Sequence, residues 1–400
     1  MPLDEARARL CALATAVGET ELVPLAQLAD RILSAPVHAT ADLPAVDCSA
    51  MDGYALRHAD LAAGARLQVV GTALAGAPWA GAIGSRECVR ITTGAALPAG
   101  ADTVVIQEDV VRQGDAIALA VPAPAPGANV RRAGEDVARG ALLLPAGRRL
   151  GAIEIGVLAT LGLAQARVRR RVRVALFASG DELRPPGTAL GPGQIHDSNR
   201  YVLGAMLARL GAEVRDLGIL PDRPEALRAA FRDAAAAADL VLSCGGASVG
   251  EADYALEILR ELGEVTFWKV AIKPGKPFIC GRLGAALACG LPGNPVSALV
   301  TFHQLVVPLI RRLQGADDAE PLRLSARTSA PLRRNRSRLE LLRARMESAA
   351  GELRVTPDAQ QSSAAFAALA RCNAFILVPA GSGDIAAGEW VEVLPFDELL

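Results

Sequence analysis

Lysine is almost absent from this 400-residue chain. Only three of its 42 lysine and arginine residues are lysine, and they fall within eight residues as Lys269, Lys273 and Lys276. Arginine is the cation everywhere else. Lysine carries a compact point charge on a flexible stem, which suits a ligand whose charge moves during phosphoryl or oxyanion chemistry, whereas arginine favours a fixed bidentate geometry. The segment 269–276 is therefore the first candidate for chemistry, with three solvated loop lysines as the alternative.

Histidine and paired cysteine are also scarce. The chain has four histidines and seven cysteines, and no C-x-x-C pair occurs. An odd number of cysteines with so few histidines indicates neither a disulfide framework nor a zinc site, and it favours a reducing cytosol. The formal net charge of −1 argues against the basic footprint of a nucleic-acid-binding protein. A small anionic ligand held by a local basic cluster fits this composition better.

Long uninterrupted apolar runs are missing as well. The most apolar stretch, 296–310, contains His303, Gln304 and Pro308 and falls short of the roughly 20 apolar residues that a membrane span requires. The N-terminal residues mix acids and arginines with apolar residues, which is typical of an amphipathic helix rather than of a signal peptide. We therefore expect a soluble, cytoplasmic protein that binds neither nucleic acid nor membrane.

The segment 171–318 alternates short apolar runs with helical patterns. Its predicted strands are 172–177, 213–219, 239–243, 265–271 and 285–291, and its predicted helices are 198–210, 224–237, 252–262 and 295–313. Such alternation predicts a three-layer α/β domain around a doubly wound, mostly parallel sheet. Ligands of such sheets bind at the carboxyl ends of the strands.

The rest of the chain divides into further parts. Residues 42–132 are rich in Gly, Ala, Pro and Val with short alternating runs, and they predict a small β-rich domain inserted into a stalk formed by 1–41 and 133–170. Residues 319–400 alternate again between Gly-rich turns and predict a β-barrel-like or sandwich domain. The predicted architecture is a multidomain α/β chain of four parts.

Glycine-rich turns follow two of the strands in the α/β segment. The strand 239–243 runs into the turn 244–250, and a second turn places Asn294 at a helix start. Glycines after a strand let successive N–H groups and a helix N-terminus point at one anion. A tight turn capped by Asp253, and simple capping by Asn294, are the alternatives. Capping does not account for Ser297, one turn into the helix.

Carboxylates gather at the same predicted sheet edge. Asp181 and Glu182 follow the first strand, Asp222 follows the second, and Asp253 follows the glycine-rich turn. Acidic side chains beside an anion-binding loop repel the ligand unless a cation intervenes. Magnesium provides such a cation, because it takes one or two carboxylates, keeps several waters and bridges to phosphate oxygens. The sequence therefore predicts a Mg²⁺–phosphate site for a nucleotide-containing ligand beside the lysine cluster.

Nine segments, taken in order, resemble the molybdopterin molybdenumtransferase family, which includes MoeA of bacteria and the E domain of gephyrin-like proteins. The segments are VDCSAMDGYA, RITTGA, RRAGEDV, ASGDEL, GQIHDSNR, SCGGASVGEADY, WKVAIKPGKP, GLPGNPVSALVTF and GEWVEVLPF, and they span practically the whole chain. The resemblance implies the last step of molybdenum cofactor synthesis, in which adenylylated molybdopterin is cleaved with Mg²⁺, AMP leaves and molybdate enters the dithiolene. It also implies an elongated homodimer of four-domain subunits with active sites shared between subunits.

The resemblance implies roles for individual residues. The acidic, metal-handling residues are Asp222 and Asp253, with Glu182 nearby. The cations for molybdate and phosphate are Lys273 and Lys276, supported by Lys269. The phosphate cradle and the second loop comprise Gly245, Gly246, Ser248, Pro292, Asn294 and Ser297. Asp47 and Thr93 match residues that the family contributes to the site from the partner subunit. In the last domain, Arg338 and Ser363 match an arginine and a serine that contact an oxyanion.

Two departures from the family pattern and two rival functions stay open. Cys48 stands where the family often has Asn, and Cys244 where it often has Ser; a small buried cysteine and an adventitious metal ligand are the alternatives for each. The rival functions are adenylylation of molybdopterin, whose enzyme shares the glycine-rich loop but is usually a single domain, and a non-catalytic scaffold for partner peptides. Expected protein partners are molybdopterin adenylyltransferase and apo-molybdoenzymes.

Overall fold

The computed structural model describes residues 1–400 except 63, 246–253, 318–320, 334–336, 382 and 398, and it describes only the backbone of Trp268. The chain forms two compact units. The small unit comprises Pro36–Pro145 and Gly156–Leu163, and the large unit comprises Met1–Ala35, Ala146–Ile155 and Ala164–Leu400. The small unit extends beyond the predicted range 42–132 at both ends. The four-part division, with its boundaries, stays a prediction.

The small unit is built mainly from strands. Its six-stranded sheet contains Gly53–Leu56, Arg66–Ala73, Glu87–Ile91, Thr103–Ile106, Val110–Gln113 and Ala116–Leu119. Two further pairs join Cys48–Ser49 to Val130–Arg131 and Val37–His38 to Leu142–Leu144. Single 3₁₀ turns occupy His58–Asp60 and Gln107–Asp109. Alternate residues of these strands enter two separate apolar clusters, one on each face of the sheet, so the unit has a β-type core of its own.

The N-terminal part of the large unit contributes a helix and a strand pair. Helix α1 (Leu3–Leu13) buries Leu3 and Leu10 in the main core. The strand Thr20–Pro24 pairs antiparallel with Gln165–Arg169. A 3₁₀ turn spans Leu25–Gln27. Helix α2 spans Ala152–Thr160, of which the residues up to Ile155 belong to the large unit and the rest to the small unit.

The centre of the large unit is an α/β sheet. The strands of this region are β1 (Arg173–Ser179), β2 (Glu213–Leu220), β3 (Leu240–Cys244), β4 (Glu264–Trp268), β5 (Ile272–Lys273), β6 (Ile279–Leu283) and β7 (Ala286–Leu291). The sheet order is β2-β1-β3-β7-β6-β4. The first four of these strands are parallel to one another. Strand β6 runs in the opposite direction, and β4, which pairs antiparallel with β6, runs in the same direction as the first four. The mostly parallel sheet predicted from the sequence is confirmed.

Helices cover both faces of this sheet. They are α3 (Asn199–Arg209), α4 (Pro224–Ala237), α5 (Tyr254–Leu262) and α6 (Pro295–Gln314), in which Phe302–Val306 form a π-helical turn. One face packs against α1, α3 and α6, and the other packs against α4 and α5. The result is the predicted three-layer domain. A short parallel pair, Leu183–Arg184 with Ile195–His196, follows β1.

The last part of the large unit is a closed barrel of five strands. These are β8 (Leu324–Thr328), β9 (Leu339–Ala349), β10 (Glu352–Pro357), β11 (Ala374–Val378) and β12 (Trp390–Pro395). The barrel closes because β9 pairs with both β10 and β11, while β8 and β12 complete the circle. Closure leaves no free edge in the ring. A 3₁₀ segment, Phe366–Arg371, precedes β11.

Two details of the sheet differ from the sequence prediction. The predicted strand 265–271 ends at Trp268 and lies at the sheet edge, where it pairs antiparallel with β6. Strand β6 was not predicted, because Gly281 and Arg282 interrupt its apolar pattern. It forms a tight hairpin with β7 through Gly284, whose φ of 60° suits a two-residue turn.

Helix α6 alone among the described helices is long and apolar enough, by length and composition, to cross a membrane. It lies inside the α/β domain, however, and 83% of its apolar stretch is buried. Its apolar residues contact the sheet, α1 and the barrel. This burial is that of a core helix.

The contact between Phe177 of β1 and Phe231 of α4 tests how the helix layer is held. Both rings are fully buried and meet edge to face with centroids 5.2 Å apart. Phe231→Ala leaves a cavity between helix and sheet, and we expect a loss of about 3–5 kcal/mol in the free energy of unfolding. Denaturant unfolding measures the loss. Ile153→Ala, at a side chain that is 80% exposed, serves as the control; equal stability of both variants would contradict this packing.

Candidate active site

The parallel strands deliver four loops to one edge of the sheet. β1 ends at Ser179, β3 at Cys244 and β7 at Leu291. Strand β2 ends just before Asp222. Because these strands are neighbours and run in the same direction, the segments after them lie side by side at their carboxyl ends.

Glycine lets three of these loops come into contact. Gly245 has a φ of 90°, and a Cβ at this position would lie 2.3 Å from the Ser179 carbonyl oxygen. Its N–H donates to the Leu291 carbonyl over 3.2 Å. A Cβ on Gly293 would lie 3.8 Å from the Gly245 Cα. Only a residue without a side chain fits at Gly245, so this glycine sets the spacing of the loops.

Three predicted site residues, Gly246, Ser248 and Asp253, lie outside the described residues. The turn between β3 and α5 is therefore represented in the site by Gly245 alone. The roles predicted for these three residues stay predictions.

The carboxylates after β1 and β2 crowd one another. The Asp222 N–H donates to the Asp181 carboxylate over 3.3 Å. Burial raises the pKa of Asp222 above its ordinary value, and the negative charges of Asp181 and Glu182 raise it further, against a hydrogen bond with Ser179. Among the described residues no three carboxylate, histidine or cysteine groups stand in a metal-binding arrangement. Magnesium needs only one or two carboxylates besides water and phosphate, so this acidic group fits a cation that a ligand helps to hold.

The lysine loop lies against the first turns of α6. The Val270 N–H donates to the Lys276 carbonyl over 3.0 Å, which closes the loop on itself. A Cβ on Gly275 would lie 2.5 Å from Thr301 and 3.5 Å from the Ser297 carbonyl oxygen. The side chains of Lys273 and Lys276 are exposed. The loop thus holds two exposed cations beside the helix that follows Gly293.

The start of α6 is held from both sides. Asn294 occupies the N-cap position, but its side chain makes no capping hydrogen bond, so the capping interpretation of this residue is wrong. Instead, the Asn199 amide donates to the Gly293 carbonyl over 2.7 Å, and the buried Asn199 Oδ1 has no hydrogen-bond partner among the described residues. Pro292 and Ser297 are buried on either side of the cap.

The barrel supplies Ser363 to the same helix end. The Val296 N–H donates to the Ser363 carbonyl over 3.1 Å. Arg338 is partly exposed and directly precedes Leu339, whose N–H donates to the Ala271 carbonyl in the lysine loop over 3.1 Å. Both residues predicted from the last domain therefore lie beside segments that carry the other site residues.

Arg343 of β9 fixes the Ser363 loop, and the sequence did not predict it. The residue is 1% exposed, and its guanidinium donates to the carbonyls of Ala365, Ser362 and Gln360. Burial lowers the pKa of Arg343. The alternation of strand residues could have indicated it, because Arg343 lies two residues after buried Leu341 and therefore on the same face of the strand.

The polar segments of the small unit form their own cluster. The Asp47 carboxylate accepts hydrogen bonds from the Ala133 N–H and from Arg132, which lower its pKa. Thr93 donates to Asp52 through both its N–H, over 2.7 Å, and its hydroxyl, over 2.9 Å. Sequence reasoning selected Asp47 and Thr93 but missed Asp52, which is the residue that holds Thr93.

The two unusual cysteines are buried. Cys48 is 6% exposed and Cys244 is 1% exposed. Burial, reinforced by the negative charge of Asp197, raises the pKa of Cys244 well above its ordinary value. Its thiol therefore stays protonated at neutral pH. This environment favours the structural alternative for Cys244 over a metal ligand, because metals bind the thiolate.

Comparison with known proteins identifies the family. Three family models match in order along the chain: the MoeA N-terminal region (domain I and II) at residues 1–162, the probable molybdopterin binding domain at 175–312, and the MoeA C-terminal region (domain IV) at 325–396. A molybdopterin molybdenumtransferase of Haemophilus influenzae is 41% identical over the full length of both chains. The chain belongs to the molybdopterin molybdenumtransferase family. The predictions of this family and of a transferase are confirmed.

Other relatives agree. A molybdopterin molybdenumtransferase of Bacillus subtilis is 32% identical over 98% of this chain and 94% of its own length. A solved molybdopterin biosynthesis MoeA protein from Pyrococcus horikosii superposes with a TM-score of 0.82 at 32% identity, covering 99% of both chains. A second such structure, from Pyrococcus horikoshii OT3, has a TM-score of 0.86 at 26% identity, covering 99% of this chain and 100% of the other. The predicted multidomain fold is confirmed by these neighbours.

The close approach at Gly245 generates a first prediction for the site. Gly245→Ala places a Cβ against the Ser179 carbonyl at an unfavourable φ, so the loops separate. We expect pyrophosphate binding to weaken by at least about tenfold, measured by calorimetry. Gly284→Ala is the matched control, because Gly284 also has a positive φ of 60° but a Cβ there meets open space at the opposite end of β7. Equal affinity in both variants would contradict the packing argument.

Carboxylate crowding generates a second prediction. The pKa of Asp222 is higher in the folded chain than its ordinary value of 3.8. The folded state therefore holds this proton more tightly, and stability decreases as pH rises from the ordinary value through the raised one. At neutral pH, Asp222→Asn removes the repulsion, and we expect a higher Tm without divalent cation and a smaller gain from Mg²⁺ than in the unaltered protein.

Thermal denaturation with and without Mg²⁺ measures both effects. Asp233→Asn, on the exposed side of α4, is the control and should leave both quantities unchanged. A lower Tm for Asp222→Asn in the absence of Mg²⁺ would show that the carboxylate is not under repulsion.

Proposed function

We propose that this protein inserts molybdenum into adenylylated molybdopterin and releases AMP in a Mg²⁺-dependent step, giving the molybdenum cofactor. Membership of the molybdopterin molybdenumtransferase family supports the overall reaction. The observation that carries the detailed proposal is the meeting of the Gly245 and Gly293 loops beside the lysine loop on α6. Backbone amides, ammonium groups and carboxylates then share one edge of the sheet.

The glycine loops are suited to the phosphates of the substrate. With no side chain at Gly293, where a Cβ would meet only the Gly245 Cα at 3.8 Å, a phosphate oxygen can approach the main chain closely. Gly245 keeps the neighbouring strand ends in contact beside it. The start of α6 presents the positive end of a helix dipole toward the same space. Asn294 and Ser297 lie in this first turn and are the side chains assigned to hold the phosphate there.

The lysine loop is suited to the oxyanions. Pyrophosphate and molybdate are both anionic, so bringing them together costs Coulomb energy, which nearby ammonium groups offset. Lys273 and Lys276 would contact molybdate and phosphate, and Lys269 would support them. In the barrel, Ser363 and Arg338 would line the side of this space that faces the lysine loop.

The acidic residues serve a metal ion rather than a proton relay. Asp222 and Asp253 would hold magnesium, with Glu182 nearby, and a cation there would offset the negative charges of Asp181 and Glu182 that face Asp222. Magnesium, when bound, would neutralise charge on the phosphates as AMP departs. The chain's own contribution is to orient the phosphoanhydride, exclude water and keep the two anions adjacent.

The proposal includes a cytoplasmic homodimer with shared active sites. The hydrogen-bonded Asp47 and Thr93 clusters of one subunit would complete the site of the other. The substrate would arrive from molybdopterin adenylyltransferase, and the product would pass to apo-molybdoenzymes. The two rivals, adenylylation of molybdopterin and a scaffold without activity, predict different requirements in the assay below.

The proposed reaction predicts that AMP is released from adenylylated molybdopterin only when molybdate and Mg²⁺ are both present. Lys273→Met removes an ammonium from the oxyanion site, and we expect the rate to drop by about 10²–10³-fold. Chromatographic detection of AMP measures the rate. Arg345→Met, which removes an exposed cation from the barrel, should retain activity. Consumption of ATP with molybdopterin would support adenylylation instead. Full activity of Lys273→Met would show that this ammonium has no role in the reaction.

A further inference from the structure

Lys273, one of only three lysines, already has a partner in the barrel. Its Nζ donates to the Glu340 carboxylate over 2.8 Å. The lysine side chain is 52% exposed, whereas that of Glu340 is 5% exposed. The cation therefore projects toward solvent from a carboxylate that is enclosed by protein.

The backbone fixes the position of this carboxylate. Strand β5 pairs parallel with the start of β9, which places Lys273 directly beside Glu340. The Leu339 N–H donates to the Ala271 carbonyl over 3.1 Å and locks the same register. On its other side, Glu340 is paired with Val378 of β11. Glu340 thus sits where the barrel closes and has little freedom to move.

The burial of Glu340 strengthens its hold on the Lys273 ammonium. Among the described residues, Glu340 forms its ion pair with Lys273. A buried carboxylate without its cation is costly, so Glu340 holds the ammonium more firmly than an exposed partner would. The flexible lysine stem then loses much of its freedom before any ligand binds.

We propose that Glu340 is a positioning residue of this enzyme, which aims the Lys273 ammonium and shares it with the incoming oxyanion. The inference rests on the proposed function of Lys273. An ammonium has three donors, so one can stay on Glu340 while the others reach a molybdate or phosphate oxygen. The barrel thereby sets the direction of a cation that is carried by the α/β domain.

Sharing has a kinetic consequence. The Glu340 charge partly cancels that of Lys273, so it weakens ground-state attraction for the oxyanion while it preserves orientation. Glu340→Gln removes the charge but keeps the shape. We expect the KM for molybdate to fall or stay constant while kcat falls by about tenfold, and Glu340→Asp, which keeps the charge, to recover part of kcat.

A double-mutant cycle tests whether Glu340 acts through Lys273. Glu340→Gln in a Lys273→Met background should change kcat by less than about twofold, because the group that it positions is gone. Glu392→Gln is the matched control, since Glu392 forms a 2.8 Å ion pair with Arg323 on the exposed side of the same barrel; it should leave kcat and KM unchanged. An equal loss of kcat from Glu340→Gln with and without Lys273 would overturn the proposal.

The scarcity of lysine allows a second readout that needs no turnover. Lysine labelled with ¹⁵N at Nζ yields signals from three ammonium groups only, and Lys273→Met assigns one of them. We expect this signal to shift in Glu340→Gln, whereas Glu392→Gln leaves it in place, and to shift again when molybdate is added to the unaltered protein. An unchanged Lys273 signal in Glu340→Gln would show that the pair does not form.

These measurements separate the inference from the proposed function. If the unaltered enzyme releases no AMP on addition of molybdate, the proposed reaction fails, and the Lys273 signal still reports whether Glu340 holds the ammonium. If the unaltered enzyme is active and Glu340→Gln matches it in kcat and KM, the positioning role fails alone.

Discussion

The site depends on the close approach of the main chain at Gly245 to the Ser179 carbonyl. This approach brings the ends of β1 and β3 together, and the hydrogen bond from Gly245 to Leu291 adds the end of β7. The Gly293 loop then lies in contact, and α6 begins directly after it. A side chain at Gly245 would separate the loops, and the backbone amides, the helix end and the lysine loop would no longer share one space.

The barrel belongs to the site because its contacts with the α/β domain are made by main chain and by buried charge. Strand β5 joins β9, Ser363 accepts a hydrogen bond at the start of α6, and Arg343 holds the Ser363 loop from within. Each contact joins segments that are far apart in the chain. In the proposed site, the α/β domain supplies the ligand-binding edge, and the barrel contacts the lysine loop and the start of α6.

Sequence reasoning located the ends of the four neighbouring parallel strands β1, β2, β3 and β7 to within two residues, because hydrophobic alternation and glycine turns are local signals. It therefore placed Gly245 and Asn294 at the correct turns, but it extended the strand before the lysine loop to residue 271, past its end at Trp268. It missed Glu340 and Arg343, since their roles depend on which strands pair across long separations; Lys273 and Glu340 are 67 residues apart. It also left capping open as the alternative for Asn294, because the identity of an N-cap residue does not say where its side chain points.

In the proposed site, ammonium groups and a metal-binding acidic group lie at one edge of the α/β sheet. Paramagnetic relaxation tests it most directly: Mn²⁺ replaces Mg²⁺ in the presence of AMP, and the three ¹⁵Nζ lysine signals are recorded. We expect strong broadening of the Lys273 and Lys276 signals in the unaltered protein, and we expect this broadening to disappear in Asp222→Asn. Sharp lysine signals while Mn²⁺ is bound would place the metal elsewhere and contradict the account.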